Sequence, residues 1–322
     1  MEYIILIVSL AGIVFGADFL VAGAVSIAKK FKVSDFVIGA AIVGVGTSMP
    51  ELVVSFLGAV GGNADVAIGN VVGSNIFNVL GILGLTAMFF PIAIDKANMK
   101  FEIPLCIIVS FLVTVLALNF FNGTPATISR IDGLVLLACF ILFMWYSIYR
   151  DRKTAALGSG VKLEAAQSEE EDKTPLWLAI VKVVGGLAVL ITSCDFFVDN
   201  AVLIAKSFGV NDAFISLTLI ACGTSLPELA ASVVAAVKKN TQMALGNIGS
   251  NIFNITFILG LSSQVMPLTS AGITAVDYVV MIGAAIVPLL LGFTGKINRL
   301  AGAAMFLCFA GYNWYLLSTQ MA

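Results

Sequence analysis

The stretch GTSMPE, residues Gly46 to Glu51, returns almost unchanged later in the chain as GTSLPE, residues Gly223 to Glu228. Both copies lie inside long apolar segments, where an uncompensated carboxylate costs about 3 kcal/mol or more. Pro50 and Pro227 each lack an amide hydrogen and clash with the carbonyl four residues earlier. Each copy therefore predicts a helix that breaks beside a buried acid, with freed backbone carbonyls facing the break.

The duplication extends beyond these two motifs. Residues Asp18 to Asp35 align with Asp195 to Asp212 at an offset of 177, with 11 identities in 18 positions. The motif GSNIFN occurs at Gly73 to Asn78 and again, at an offset of 176, at Gly249 to Asn254. The chain is therefore predicted to consist of two related halves.

Apolar runs of bilayer-spanning length recur along the whole chain. Of its 322 residues, 60% are apolar and 11% are charged, whereas about a quarter are charged in soluble domains. We predict an all-α polytopic membrane protein whose ten transmembrane helices lie at about 3–28, 34–60, 66–90, 101–120, 130–149, 176–205, 210–237, 242–266, 272–294 and 297–317.

Five spans in each half, an odd number, require the second half to enter the membrane upside down relative to the first. The predicted domains are a first five-helix repeat at 1–150, a linker at 151–175 and a second five-helix repeat at 176–322. With the N-terminus placed outside, fourteen of the seventeen basic residues fall on the inner side. Cytoplasmic loops carry such an excess, so we expect both termini outside and the linker in the cytoplasm.

The composition excludes several classes of function. A net charge of -2 gives no basic excess for nucleic acid, and the absence of histidine removes histidine-dependent catalysis and histidine-ligated metals. The five cysteines lie singly in apolar segments, as small core residues do. We expect the protein to have no enzymatic activity and to carry no prosthetic group. The N-terminus, which lacks a basic n-region, is expected to be a span rather than a cleaved signal, and the acidic run 169–172 to be solvated linker.

Helical spacing places several oxygen-bearing side chains together. Glu51 follows Thr47 and Ser48 by three or four residues, and the serine and asparagine of each GSNIFN motif are also four apart, so each group shares one helix face. Such all-oxygen clusters suit hard cations such as Ca²⁺. Two ionised glutamates would balance one Ca²⁺ or several Na⁺ ions, which should therefore compete. The candidate ligands are Thr47, Ser48, Glu51, Ser74, Asn78, Thr224, Ser225, Glu228, Ser250 and Asn254.

Some of these patterns have structural readings as well. Ser48 with Glu51, and their counterparts in the second half, match a helix capping box, which we expect to coexist with ion binding. The glycine pairs at 12 and 16 and at 69 and 73 predict close helix packing. Asp18 and Asp195 are matched intramembrane acids whose roles, as ligands or as hydrated structural groups, stay open.

The paired GTSxPE and GSNxxN motifs resemble the alpha repeats of the calcium/cation antiporter superfamily, and most closely those of the prokaryotic sodium/calcium exchangers. The resemblance covers essentially the whole chain and implies Na⁺/Ca²⁺ antiport across a prokaryotic plasma membrane. It implies that the two glutamates bind Ca²⁺ and Na⁺, that the two threonines supply carbonyl oxygens, that the four serines help form flanking Na⁺ sites, and that Asn78 and Asn254 complete the centre.

Two departures from the family pattern are visible. Some members carry Asp where Asn254 stands, which leaves Ca²⁺/H⁺ exchange or K⁺-dependent exchange as alternatives. The segment GNVVGSN (69–75) is one residue longer than GNIGSN (246–251), so Gly246 and Asn247 are doubtful equivalents of Gly69 and Asn70. A cation channel and, more distantly, an intramembrane protease using Asp18 and Asp195 are the rival classes. No protein partner is inferred.

Overall fold

The computed structural model describes residues 2–31, 38–118, 127–156, 174–207, 221–269 and 272–320. Nearly all of them are helical, which confirms the all-α fold predicted from the apolar runs. Three predicted spans, 34–60, 101–120 and 210–237, begin or end outside the described residues. The acidic run 169–172 also lies outside them.

Within the described residues the helices group into ten spans, which we number α1 to α10. Five of them are single helices: α1 (Glu2–Phe31), α5 (Arg130–Ala156), α6 (Leu176–Ser207), α9 (Ala275–Gly292) and α10 (Arg299–Gln320). The other five consist of successive segments: α2 (Gly39–Gly44, Val45–Thr47, Met49–Val60), α3 (Ala64–Ile76, Phe77–Leu83, Gly84–Phe89), α4 (Lys96–Lys100, Glu102–Leu118), α7 (Ala221–Gly223, Leu226–Val237) and α8 (Thr241–Ala244, Asn247–Phe253, Asn254–Ile258, Leu259–Val265).

Eight of the described spans are long and apolar enough to cross a bilayer, and α2 and α7 contribute shorter apolar helices. Both shorter helices start directly after a break: Met49–Val60 follows Ser48, and Leu226–Val237 follows Ser225. A proline occupies the first turn of each, where its missing amide hydrogen costs nothing. The broken helices predicted from the two prolines are therefore confirmed.

Two short antiparallel ribbons join the halves. The strand β1 (Ile92–Ala93) pairs with β4 (Lys296–Ile297), and β2 (Thr127–Ile128) pairs with β3 (Leu268–Thr269). The strands β1 and β3 follow α3 and α8, whereas β2 and β4 precede α5 and α10, so the duplication relates one ribbon to the other. Each ribbon takes one strand from each half, as two inverted repeats require.

The described residues form two apolar cores, the larger one built around α3, α4, α8 and α9. The spans α1 and α6 pack against each other and form the second core with parts of α2, α7 and α8. Their backbones meet at glycines. A Cβ atom at Gly16 would lie 2.6 Å from the Leu190 nitrogen, and one at Gly186 would lie 2.5 Å from the Leu20 nitrogen. Close packing is thus confirmed for the glycine pair in α1.

The other glycine pair, in α3, differs between its two members. A Cβ atom at Gly69 would lie 3.1 Å from the Ile273 side chain, whereas one at Gly73 would have no described atom within 4 Å. The packing prediction is therefore confirmed at Gly69, and at Gly73 it stays a prediction, because the described residues do not test it.

We expect Gly16→Val to lower the melting temperature of the detergent-solubilised protein by several degrees, because forcing a side chain into a filled interface costs about 1–3 kcal/mol. Gly185→Val is the matched control, since a Cβ atom there meets no described atom within 4 Å. Equal melting temperatures for the two variants would contradict the close contact between α1 and α6.

Candidate ion-binding site

Two glutamates lie fully buried beside the helix breaks. Glu51 is 0% exposed and Glu228 is 1% exposed, each in the first turn of the helix that follows the break. Among the described residues, neither glutamate forms an ion pair with a lysine or arginine. Two buried acids without a basic partner are costly unless hydrogen bonds, protons or bound cations stabilise them.

The other buried acids of the described chain have local partners. Glu102 forms an ion pair with Arg150, whose side chain is partly exposed. Asp277 accepts hydrogen bonds from the Thr274 amide and hydroxyl, at 2.7 and 2.8 Å, and from the Tyr312 hydroxyl at 2.7 Å. These interactions account for both acids as structural groups and set the two glutamates in α2 and α7 apart.

Serine hydroxyls bind the two glutamates across the repeat boundary. Ser48 in the first half donates to Oε1 of Glu228 at 2.7 Å, and Ser225 in the second half donates to Oε1 of Glu51 at 2.6 Å. The Ser74 hydroxyl lies 3.4 Å from the same Glu51 oxygen and 3.2 Å from the Ser225 hydroxyl. The two breaks therefore face each other and form one site.

These crossed bonds correct the capping-box reading. Neither Ser48 nor Ser225 uses its side chain to cap the helix that follows it. Each hydroxyl instead reaches a carboxylate 174 or 180 residues away in the sequence. The charge-assisted bond to a buried carboxylate is stronger than a neutral cap and takes the hydroxyl away from the backbone.

Several buried oxygens at the site have no hydrogen-bond partner within the described part of the chain. A buried polar oxygen that makes no hydrogen bond destabilises the folded protein. In native proteins such oxygens mark bound waters, bound ions or functional strain. Six of them belong to predicted ligands: Glu51 Oε2, Glu228 Oε2, Thr224 Oγ1, Ser250 Oγ, Asn78 Oδ1 and Asn254 Oδ1.

The remaining predicted ligands have protein partners. The hydroxyls of Ser48, Ser225 and Ser74 contact the glutamates, as described above. Thr47 differs from its counterpart Thr224, because its hydroxyl donates to the Val43 carbonyl of its own span at 2.9 Å. All ten predicted residues thus belong to the described part of the chain. Asn78 lies within a π-helical segment and Asn254 begins another, and such segments often occur at functional sites.

Sequence reasoning undervalued two supporting asparagines. Asn70 donates to the Glu51 carbonyl at 3.1 Å and to the Ser55 hydroxyl at 2.9 Å, and Asn247 donates to the Ser232 hydroxyl at 2.9 Å. Asn247 is therefore the structural equivalent of Asn70, contrary to the doubt raised by the shorter motif. The missing residue is tolerated because Asn70 lies four residues before Ser74 and Asn247 three residues before Ser250, and both spacings keep two side chains on one helix face.

Asp18 and Asp195 do not contribute to this cluster. The Asp18 carboxylate is 54% exposed and pairs with Lys238 at 2.6 Å. Asp195 is also exposed, on α6. Both carboxylates therefore lie at the surface of the protein rather than among the buried candidate ligands.

A membrane fold with two inverted repeats, broken helices and buried acids between them is the architecture of a secondary transporter. Comparison with known proteins is more specific. The family model described as sodium/calcium exchanger protein matches residues 1–149 and 178–318. The chain belongs to this family.

Individual relatives agree with the family assignment. The chain is 40% identical to the putative antiporter CaxA of Alkalimonas amylolytica, over 98% of each protein. It is 31% identical to the sodium/calcium exchanger MaX1 of Methanosarcina acetivorans, over 97% of each. Among solved structures, the sodium-calcium exchanger NCX_Mj superposes with a TM-score of 0.80 at 29% identity, covering 100% of this chain and 99% of that one.

We expect Ser48→Ala and Ser225→Ala to weaken Ca²⁺ binding to similar extents, by about tenfold each, because each removes a hydrogen bond to a buried carboxylate. Equilibrium ⁴⁵Ca²⁺ binding in detergent measures the change. Ser26→Ala is the control, since this buried serine bonds only to the Ala22 carbonyl of its own helix at 3.1 Å among the described residues. A tenfold loss in the control as well would point to general destabilisation.

We expect Asp18→Asn and Asp195→Asn to keep Ca²⁺ affinity within about twofold of the wild type, because exposed acids contribute little to a buried site that they do not contact. The same binding assay checks this. Loss of binding in either variant would place that aspartate among the ligands.

Proposed function

We propose that this protein is a Na⁺/Ca²⁺ antiporter that extrudes Ca²⁺ by alternating access, driven by the Na⁺ gradient. The observation that carries the proposal is the pair of buried glutamates, each bonded by a serine of the opposite repeat and each keeping one oxygen without a partner among the described residues. The family and the relatives named as exchangers support it.

The chemistry of the site suits these ions. Carboxylate, amide and hydroxyl oxygens are the ligands of hard cations. In the proposed site the ten residues predicted from the sequence bind Ca²⁺ and Na⁺, with Glu51 and Glu228 as the charged ligands of both.

Charge balance explains why transport is coupled. Two ionised glutamates give the site a charge of about -2, which one Ca²⁺ or several Na⁺ ions neutralise. The two ion species then exclude each other, and a site without cations would hold uncompensated charge in a low-dielectric interior. Reorientation of the loaded site is therefore favoured over reorientation of the bare one, which is the condition for exchange.

Alternating access requires one part of the molecule to move past another around the site. The paired spans α1 and α6 supply most of the smaller core, which also takes in parts of α2, α7 and α8 and is separate from the larger core built around α3, α4, α8 and α9. We propose that α1 and α6 move as one unit while α2, α3, α7 and α8 hold the ions.

The remaining assignments belong to the same proposal. The repeats occupy 1–150 and 176–322, and residues 151–175 link them on the cytoplasmic side. Both termini lie outside a prokaryotic plasma membrane, as the distribution of basic residues predicts. Transport requires neither a prosthetic group nor a protein partner.

We expect proteoliposomes loaded with Na⁺ and diluted into Na⁺-free medium to take up ⁴⁵Ca²⁺, and Glu51→Gln and Glu228→Gln to abolish this uptake, because each removes half of the site's charge. Adding a protonophore or removing K⁺ should leave wild-type uptake unchanged. Uptake that does not depend on Na⁺ but stops when the proton gradient is dissipated would contradict the proposal and indicate Ca²⁺/H⁺ exchange. Uptake that needs K⁺ would make exchange K⁺-dependent, and uptake without any counter-ion would indicate a channel.

A further inference from the structure

The first asparagine of each GSNxxN motif, Asn75 and Asn251, lies behind the proposed ligands. Both are 2% exposed and contact each other across the boundary between the halves. The Asn75 amide nitrogen donates to the Asn251 main-chain carbonyl at 3.3 Å, and the Asn251 amide nitrogen donates to the Asn75 carbonyl at 3.0 Å. This reciprocal pair joins α3 to α8.

These two hydrogen bonds determine the directions in which the nitrogen and the oxygen of each side-chain amide point. A main-chain carbonyl only accepts hydrogen bonds, so the side-chain atom facing it must be nitrogen. The side-chain oxygen of Asn75 therefore points the other way, to Asn254, whose amide nitrogen donates to it at 3.3 Å. The side-chain oxygen of Asn251 likewise accepts from the Asn78 amide nitrogen at 3.0 Å.

These hydrogen bonds in turn orient the side-chain amides of the proposed ligands Asn78 and Asn254. With their nitrogens bonded to the opposite repeat, Asn78 and Asn254 are left with side-chain oxygens that are buried and without a partner within the described residues. Both residues are 0% exposed. An amide turned the other way would present its NH₂ group, which carries partial positive charge, to an incoming cation.

We propose that Asn75 and Asn251 are positioning residues for ion exchange: each holds the amide of the opposite repeat's site asparagine so that its oxygen faces the cation. This inference rests on the proposed function, because it concerns how that site is built. It also makes each half of the site depend on the other half for its geometry, so α3 and α8 stay together throughout the transport cycle.

The test uses the difference between an amide and a carboxylate. In Asn75→Ala the amide of Asn254 loses its acceptor, and we expect Ca²⁺ affinity and the KM for Ca²⁺ to worsen by about tenfold or more, as they do when supporting residues of metal sites are removed. The kcat should change far less. Asn313→Ala is the control, because its amide bonds only to the Phe309 carbonyl of α10 at 2.9 Å among the described residues.

A second substitution at the ligand separates positioning from a merely structural role. A carboxylate has two equivalent oxygens, so Asn254→Asp needs no acceptor to orient it and is instead repelled by the Asn75 oxygen. We therefore expect Asn75→Ala to weaken Ca²⁺ binding in the wild-type background and to strengthen it in the Asn254→Asp background. Such a reversal of sign is a coupling that a double-mutant cycle measures directly.

Equilibrium ⁴⁵Ca²⁺ binding and Na⁺-driven uptake are measured on every variant. A wild type that neither binds nor exchanges Ca²⁺ would overturn the proposed function itself. If the wild type exchanges Ca²⁺, then unchanged affinity in Asn75→Ala, or losses that simply add in the double variant, would overturn the positioning role alone. Failure of both Asn75→Ala variants to fold would also overturn it, because the defect would then not act through Asn254. Asn251→Ala with Asn78→Asp repeats the cycle on the other repeat, where we expect the same reversal.

Discussion

The burial of two carboxylates at one site is the constraint on which the rest of this structure depends. Like charges in a low-dielectric interior repel strongly, and among the described residues no basic side chain pairs with Glu51 or Glu228. Neutral serine hydroxyls bind one oxygen of each acid, and the other oxygen has no partner in the described part of the chain. A lysine fixed beside each glutamate would neutralise the site permanently, whereas neutral donors leave its negative charge to be balanced by a mobile cation.

The duplication explains how the fold meets this constraint. Because the second half is inverted, three kinds of contact occur twice with crossed direction: serine to glutamate, asparagine to asparagine, and strand to strand in the two ribbons. Neither half can form the site alone. The halves are not identical, however, since Thr47 bonds to its own helix and α8 is interrupted where α3 is continuous.

Much of this could be predicted from the sequence, because the relevant signals are local or repeated. Apolar runs gave the spans, Pro50 and Pro227 gave the breaks, and the repeated motifs identified the oxygen cluster. The capping reading of Ser48 was wrong because its hydroxyl bonds to a residue 180 positions away, a contact that local spacing cannot reveal. The supporting asparagines Asn70 and Asn247 were undervalued because their hydrogen bonds also run to another span, although their repetition in both halves was a visible signal.

The central claim is that both glutamates belong to one shared site rather than to two independent ones. Counting the Ca²⁺ ions bound per chain, in the wild type and in Glu51→Gln and Glu228→Gln separately, tests it most directly. A shared site predicts one displaceable Ca²⁺ per wild-type chain and none in either variant at the same free Ca²⁺ concentration. Two Ca²⁺ ions in the wild type, with one retained in each variant, would contradict it.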